Sequence, residues 1–154
     1  MKKYLYLLFV ALFATMSFSI ASCDSKKNDS PIYKLFESES SLREGLIGKV
    51  FVSEDQNCLM DFRRESRFKI FIKEPSSGEW IQFDGEKYRI TYYNKDEVCI
   101  ELPYFEQNGG DASAEGVFTP SEFKINFLPG GTIKFKDFRI ISTDEAAEIM
   151  SQGK

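Results

Sequence analysis

The chain has 154 residues, with 20 basic and 24 acidic side chains, a net charge of −4 and no histidine. An acidic balance of this kind repels nucleic acid. Without imidazole, the commonest general base, the Ser-His-Asp arrangement and the usual zinc ligand sets are all excluded. The length fits one domain, and 15 Phe and 7 Tyr favour strands and supply much buried area per residue.

The chain opens Met1-Lys2-Lys3, a short positive segment, followed by an almost wholly apolar run from Tyr4 to Met16. Small residues come next, ending in Ile20-Ala21-Ser22-Cys23. An apolar run this short, with small residues behind it, reads as a signal peptide over 1–22 rather than a membrane span. Ile20-Ala21-Ser22-Cys23 resembles the bacterial lipobox: an aliphatic residue, two small residues and cysteine. The resemblance implies cleavage between Ser22 and Cys23 and acylation of Cys23. Two or three acyl chains hold a protein durably, since each buried CH₂ is worth roughly 0.8 kcal/mol. Without residues 1–22 the chain keeps 18 basic against 24 acidic residues, a net charge of −6.

Residues 23–45 read as a tether, because Asp24–Ser41 is rich in serine and charge. Ile32-Tyr33-Lys34-Leu35-Phe36 is too apolar for pure linker, and the reading favoured is that it packs on the domain or forms a short turn. Ser41–Gly45 reads as one helical turn that Gly45 ends.

From Gly48 onward, apolar and polar residues alternate in short runs separated by turn signals, the pattern of an all-β sandwich or barrel. Eight strands are expected: Lys49–Ser53, Cys58–Arg64, Arg67–Lys73, Glu79–Phe83, Lys87–Tyr93, Glu97–Tyr104, Gly116–Phe127 and Thr132–Ile141. Asp84-Gly85 is the sharpest hairpin signal, and Gln107–Glu115 reads as the one longer loop. The inward face is expected to carry Val52, Met60, Phe62, Phe68, Ile70, Tyr88, Ile90, Val98, Ile100, Phe123, Ile125 and Phe135. One dry face per strand and short connections favour an antiparallel up-and-down barrel, with a two-sheet sandwich as the alternative. Ser142 and Glu145 form a capping-box pattern before a short C-terminal helix that lays Ile149 and Met150 on the outside or one mouth.

Candidate chemistry is sparse. Cys58 and Cys99 form an even pair, which outside the cytoplasm suggests a disulfide. The face assignment sets Cys58 inward and Cys99 outward, which argues against it. Glu97, Glu101, Glu106, Asp111 and Glu115 read as a solvated face rather than paired catalytic carboxylates. Asn108-Gly109-Gly110-Asp111 lacks the P-loop lysine and the calcium-loop spacing. Arg63, Arg64, Arg67, Lys69 and Lys73 read as an ordinary wet face before an anion-binding patch. Trp80 reads as core before a sugar-stacking platform.

The order of Gly48-Lys49-Val50, eight strands and a late helix resembles the lipocalin-like, or calycin-type, small lipoproteins over Leu46–Met150. The tryptophan common in that family after the glycine is Val50 here, which leaves the barrel floor less filled. The resemblance implies a domain over 46–154 with a cavity for a small apolar or amphipathic ligand. The first functional expectation is therefore a non-enzymatic lipoprotein with no cofactor and no metal, monomeric, anchored in the bacterial cell envelope at the outer membrane, and binding such a ligand inside a barrel. The second is a surface module binding a protein or glycan, as an inhibitor or assembly accessory does.

Overall fold

The computed structural model describes residues 29–64, 67–93 and 95–152. Two short helices come first. α1 (Pro31–Leu35) opens on a proline, whose missing N–H costs nothing at a first helical position. α2 (Glu39–Gly45) is capped by Ser38, whose side chain accepts from the Ser41 N–H at 3.1 Å, and Arg43 pairs with Glu39 one turn earlier. Helices this short are unstable alone. These hold because Ile32, Phe36, Leu42 and Leu46 are buried in the main core. The compact unit accordingly runs from Pro31 to Lys154, and folded structure begins well inside the stretch 23–45 that composition assigns to a tether. The apolar run Ile32–Phe36 does pack on the domain.

Ten strands form one curled antiparallel sheet. They are β1 (Val50–Val52), β2 (Cys58–Arg64), β3 (Arg67–Lys73), β4 (Trp80–Gly85), β5 (Arg89–Tyr93), β6 (Glu97–Gln107), β7 (Ser113–Phe118), β8 (Glu122–Leu128), β9 (Thr132–Lys136) and β10 (Arg139–Ile141). The order is β10-β1-β2-β3-β4-β6-β7-β8-β9, with β5 paired to β6. Neighbours in sequence are mostly neighbours in the sheet, as short connections require. Gly48 (φ 85°) makes the turn from α2 into β1, a left-handed conformation that a side chain disfavours.

The strand divisions depart from expectation in three places. Gly116–Phe127 is two strands, because Thr119 closes a tight turn: its N–H and hydroxyl both bond the Glu122 carbonyl. Thr132–Ile141 is also two, broken at Asp137, which has φ 51°; β9 pairs with β8 while β10 pairs with β1. Asp84-Gly85 makes no hairpin. Both residues lie inside β4, opposite Lys69 and Phe68 of β3. A Cβ on Gly85 would fall on the Phe68 ring, so the glycine serves close approach rather than a turn. β4 and β5 do not pair with each other. β4 meets β3 and the end of β6, and β5 meets the start of β6. A register shift between Leu102 and Phe105, around Pro103, separates the two halves of β6, as a residue without an N–H dictates.

The sheet curls around a core of rings. Phe118 is its hub, with centroids 5.3 Å from Phe36, 5.1 Å from Phe51, 6.3 Å from Phe123 and 5.0 Å from Phe138. Phe62, Phe68, Phe83 and Phe105 extend the ring contacts along β2–β6. Phe36, just after α1, and Leu42 of α2 insert into this interior. A second apolar cluster lies on the outside. There α3 (Thr143–Ser151) packs Ile149 against Val50, Val52, Leu59 and Ile141. Val52 thus faces out, and Phe51 faces in. The α3 cap follows the sequence reading: Ser142 accepts from the Glu145 N–H at 3.1 Å.

Candidate functional site

Ser22, Cys23 and the whole segment 1–22 lie outside the described residues. Among the described residues no helix is long and apolar enough to cross a membrane, and no group of three or more His, Cys, Asp or Glu is placed to hold a metal ion.

Cys58 and Cys99 are both free and buried, so the candidate disulfide between them is absent from the fold. Cys58 sits in the inner core on β2. Burial, assisted by the charge of Asp55, holds its thiol well above the ordinary value. Cys99 lies on β6 opposite Thr91, whose hydroxyl is 3.3 Å from the sulfur. Burial raises its thiol too, against the lowering effect of the Thr91 bond. The alternation places the two on opposite faces, which accounts for the lack of a bridge.

The basic run along β2 and β3 is answered locally. Arg63 pairs with Asp61, Arg67 with Glu86 at 3.3 Å and Lys69 with Asp84 at 3.6 Å. These carboxylates answer three of the charges that an anionic ligand would need. Lys73 stands 5.8 Å over the ring of Trp80. Trp80 is half-buried against the outer α3 cluster, its indole N–H without a partner.

The expected carboxylate face does form part of a cleft, of about 690 Å³, on the outer surface of β5–β9. Antiparallel register sets one row across it. Arg89 on β5 stands opposite Glu101 on β6, Glu101 opposite Val117 on β7, Val117 opposite Lys124 on β8 and Lys124 opposite Lys134 on β9. Arg89 reaches Glu101 at 3.6 Å, and Lys134 reaches Glu122 at 3.7 Å. Two lysines directly opposed on one face repel each other; Glu122 answers Lys134, and Lys124 carries positive charge at the far side of the row. Two residue pairs further along, Glu115 faces Asn126, whose side-chain oxygen accepts from the Thr132 hydroxyl at 2.7 Å. Tyr93, half exposed, forms one end of the cleft. The cleft therefore combines the ion pairs Arg89–Glu101 and Lys134–Glu122 with Lys124, amide hydrogen bonding and one aromatic face.

Sequence reasoning found the glutamates of this face but not the cleft. Lys124 and Lys134 belong to strands distant in sequence from Arg89 and Glu101, and only the β6–β7–β8–β9 register brings them into one row. Glu106 lies apart, accepting from the Tyr104 hydroxyl; that bond, ahead of burial, raises the phenol above its ordinary value. Asn108-Gly109-Gly110-Asp111 forms the β6–β7 reversal, with Gly109 and Gly110 at φ 109° and 82°.

No family model, no curated protein and no solved structure matches the chain.

Proposed function

We infer that this is a lipid-anchored, non-enzymatic protein of the bacterial cell envelope that binds a protein or glycan partner through the outer cleft of β5–β9. The observation that carries this reading is the contrast between inside and outside. The interior is occupied by the Phe118 ring cluster and the inserted α1–α2 residues, whereas the outer cleft is open, polar and of ligand-site size. That contrast favours a surface partner over a small apolar ligand held within the sheet. The curl acts as a lipocalin-like eight-stranded up-and-down barrel if β4–β5 and β9–β10 each count as one bent strand that changes neighbours midway, as strands do at sheet corners. The lipobox resemblance of Ile20–Cys23 supports the anchor, placed at the outer membrane.

Native mass spectrometry of the protein taken directly from membranes tests the reading. The expected species begins at acylated Cys23 and carries a stoichiometric protein or glycan, which the reversal Glu101→Lys with Lys124→Glu removes. A retained small apolar molecule that survives the reversal sinks the surface reading.

A further inference from the structure

The two ends of the curled sheet are not alike. By the antiparallel pairings, β1, β3, β6 and β8 begin at one end, where β2, β5, β7 and β10 finish. The two N-terminal helices lie at this end. The Gly48 N–H, just after α2, donates to the Phe62 carbonyl near the finish of β2. Phe36 meets the ring of Phe118, the last residue of β7, at 5.3 Å, α2 lies against β5 and α1 against β10. The polypeptide thus enters the domain here. Segment 24–30 joins Pro31 to Cys23 and, fully extended, reaches about 25 Å.

Besides Tyr93, two large side chains are left outside at the same end. Tyr92, next to last in β5, is 59% exposed, and Ile47, between α2 and β1, is 47% exposed. Charges of both signs lie around them: Glu44 and Lys49 are close to Ile47 in the chain, and exposed Lys95 and Asp96 follow β5, while Arg43 pairs with Glu39 and Arg89 with Glu101. Apolar side chains set among charges of both signs suit a boundary that is apolar on one side and wet on the other. Tyrosine is enriched at that boundary, where its ring is shielded and its hydroxyl stays hydrated.

We propose that this end of the domain docks on the bilayer surface, with Tyr92 and Ile47 in the headgroup region. The docking rests on the acylation of Cys23 inferred above, since a short tether keeps this end close to the lipid. It places the Tyr93 end of the cleft just above the headgroups and turns the β6–β7 reversal at Gly109-Gly110 away from the membrane.

The full-length acylated protein carrying Tyr92→Trp and Trp80→Phe is reconstituted in phosphatidylethanolamine–phosphatidylglycerol vesicles with brominated acyl chains. The indole at position 92 is expected to lose emission relative to unbrominated vesicles, at low and high salt alike. Wild-type Trp80, at the opposite end of β4, and the indole of Tyr104→Trp in the Trp80→Phe background are expected to keep theirs. Flotation with the vesicles, compared with Cys23→Ser, reads the anchor separately. Flotation without loss of emission at position 92, or equal loss at 104, overturns the docking alone. Failure of the acylated protein to float overturns the anchor and the docking with it.

Discussion

Replacing Phe36 by alanine separates a packed N-terminal segment from a tether more sharply than any other change. The ring is 6% exposed and stands edge-on to Phe118 at 5.3 Å. A buried phenylalanine covers roughly 150–250 Å², which at about 25 cal/mol per Å² corresponds to roughly 4–6 kcal/mol for the whole side chain. Alanine keeps part of that, and measured losses for such truncations run about 3–5 kcal/mol. Since α1 is short and close to the chain's entry into the domain, part of it can relax, and the lower end, about 3 kcal/mol, is the expected loss. Equilibrium urea unfolding followed by far-UV circular dichroism reads it as a fall in midpoint at unchanged slope. Tyr92→Ala, at an exposed position, serves as the control and should stay within about 0.5 kcal/mol. A Phe36→Ala loss below about 1 kcal/mol, or a lowered slope showing that α1 and α2 unfold separately, would refute the claim that residues 31–46 belong to one cooperative core.

The remaining predictions concern the sheet and its thiols. Gly85→Ala should cost about 1–3 kcal/mol in the same assay because its methyl meets the Phe68 ring; adding Phe68→Leu should recover part of the loss, and a neutral Gly85→Ala would show that β3 and β4 are not this close. Cys58 has a folded-state pKa raised by burial above its ordinary value of 9.0. The folded state therefore prefers the neutral thiol, so this contribution is fully present below about pH 9 and is lost as pH rises from there toward the folded value. Stability measured from pH 7 to 11 should fall less steeply in Cys58→Ala than in wild type, and identical slopes would remove the thiol from the account.

Much of the architecture was legible in the sequence because it depends on local chemistry. The all-β class follows from period-two alternation, visible in Phe68, Ile70 and Ile72 against Arg67, Lys69 and Lys73. The cap of α3 follows from Ser142, whose hydroxyl accepts the Glu145 N–H within one turn. The opposite orientation of Cys58 and Cys99 follows from counting along their strands. Each of these is fixed by neighbours a few residues apart.

Tertiary structure decided the rest, for reasons of distance. Asp84-Gly85 has the composition of a hairpin, yet the Phe68 ring on β3 takes the space over Gly85 and keeps the pair inside a strand. Thr119 and Asp137 each break a run whose alternation continues, because a hydroxyl-closed turn and a single left-handed residue leave the hydrophobic pattern almost untouched. Ser-rich composition marks 23–45 as tether, but Phe36 and Leu42 find Phe118 and the β5 wall only after the sheet has curled. The cleft row from Arg89 to Lys134 exists only through the register of five strands. The sequence by itself determined which residues alternate and where an acylated cysteine is expected. Only the fold decided which strands meet, because pairing across the sheet is set by packing in the shared core and not by any one strand's own pattern.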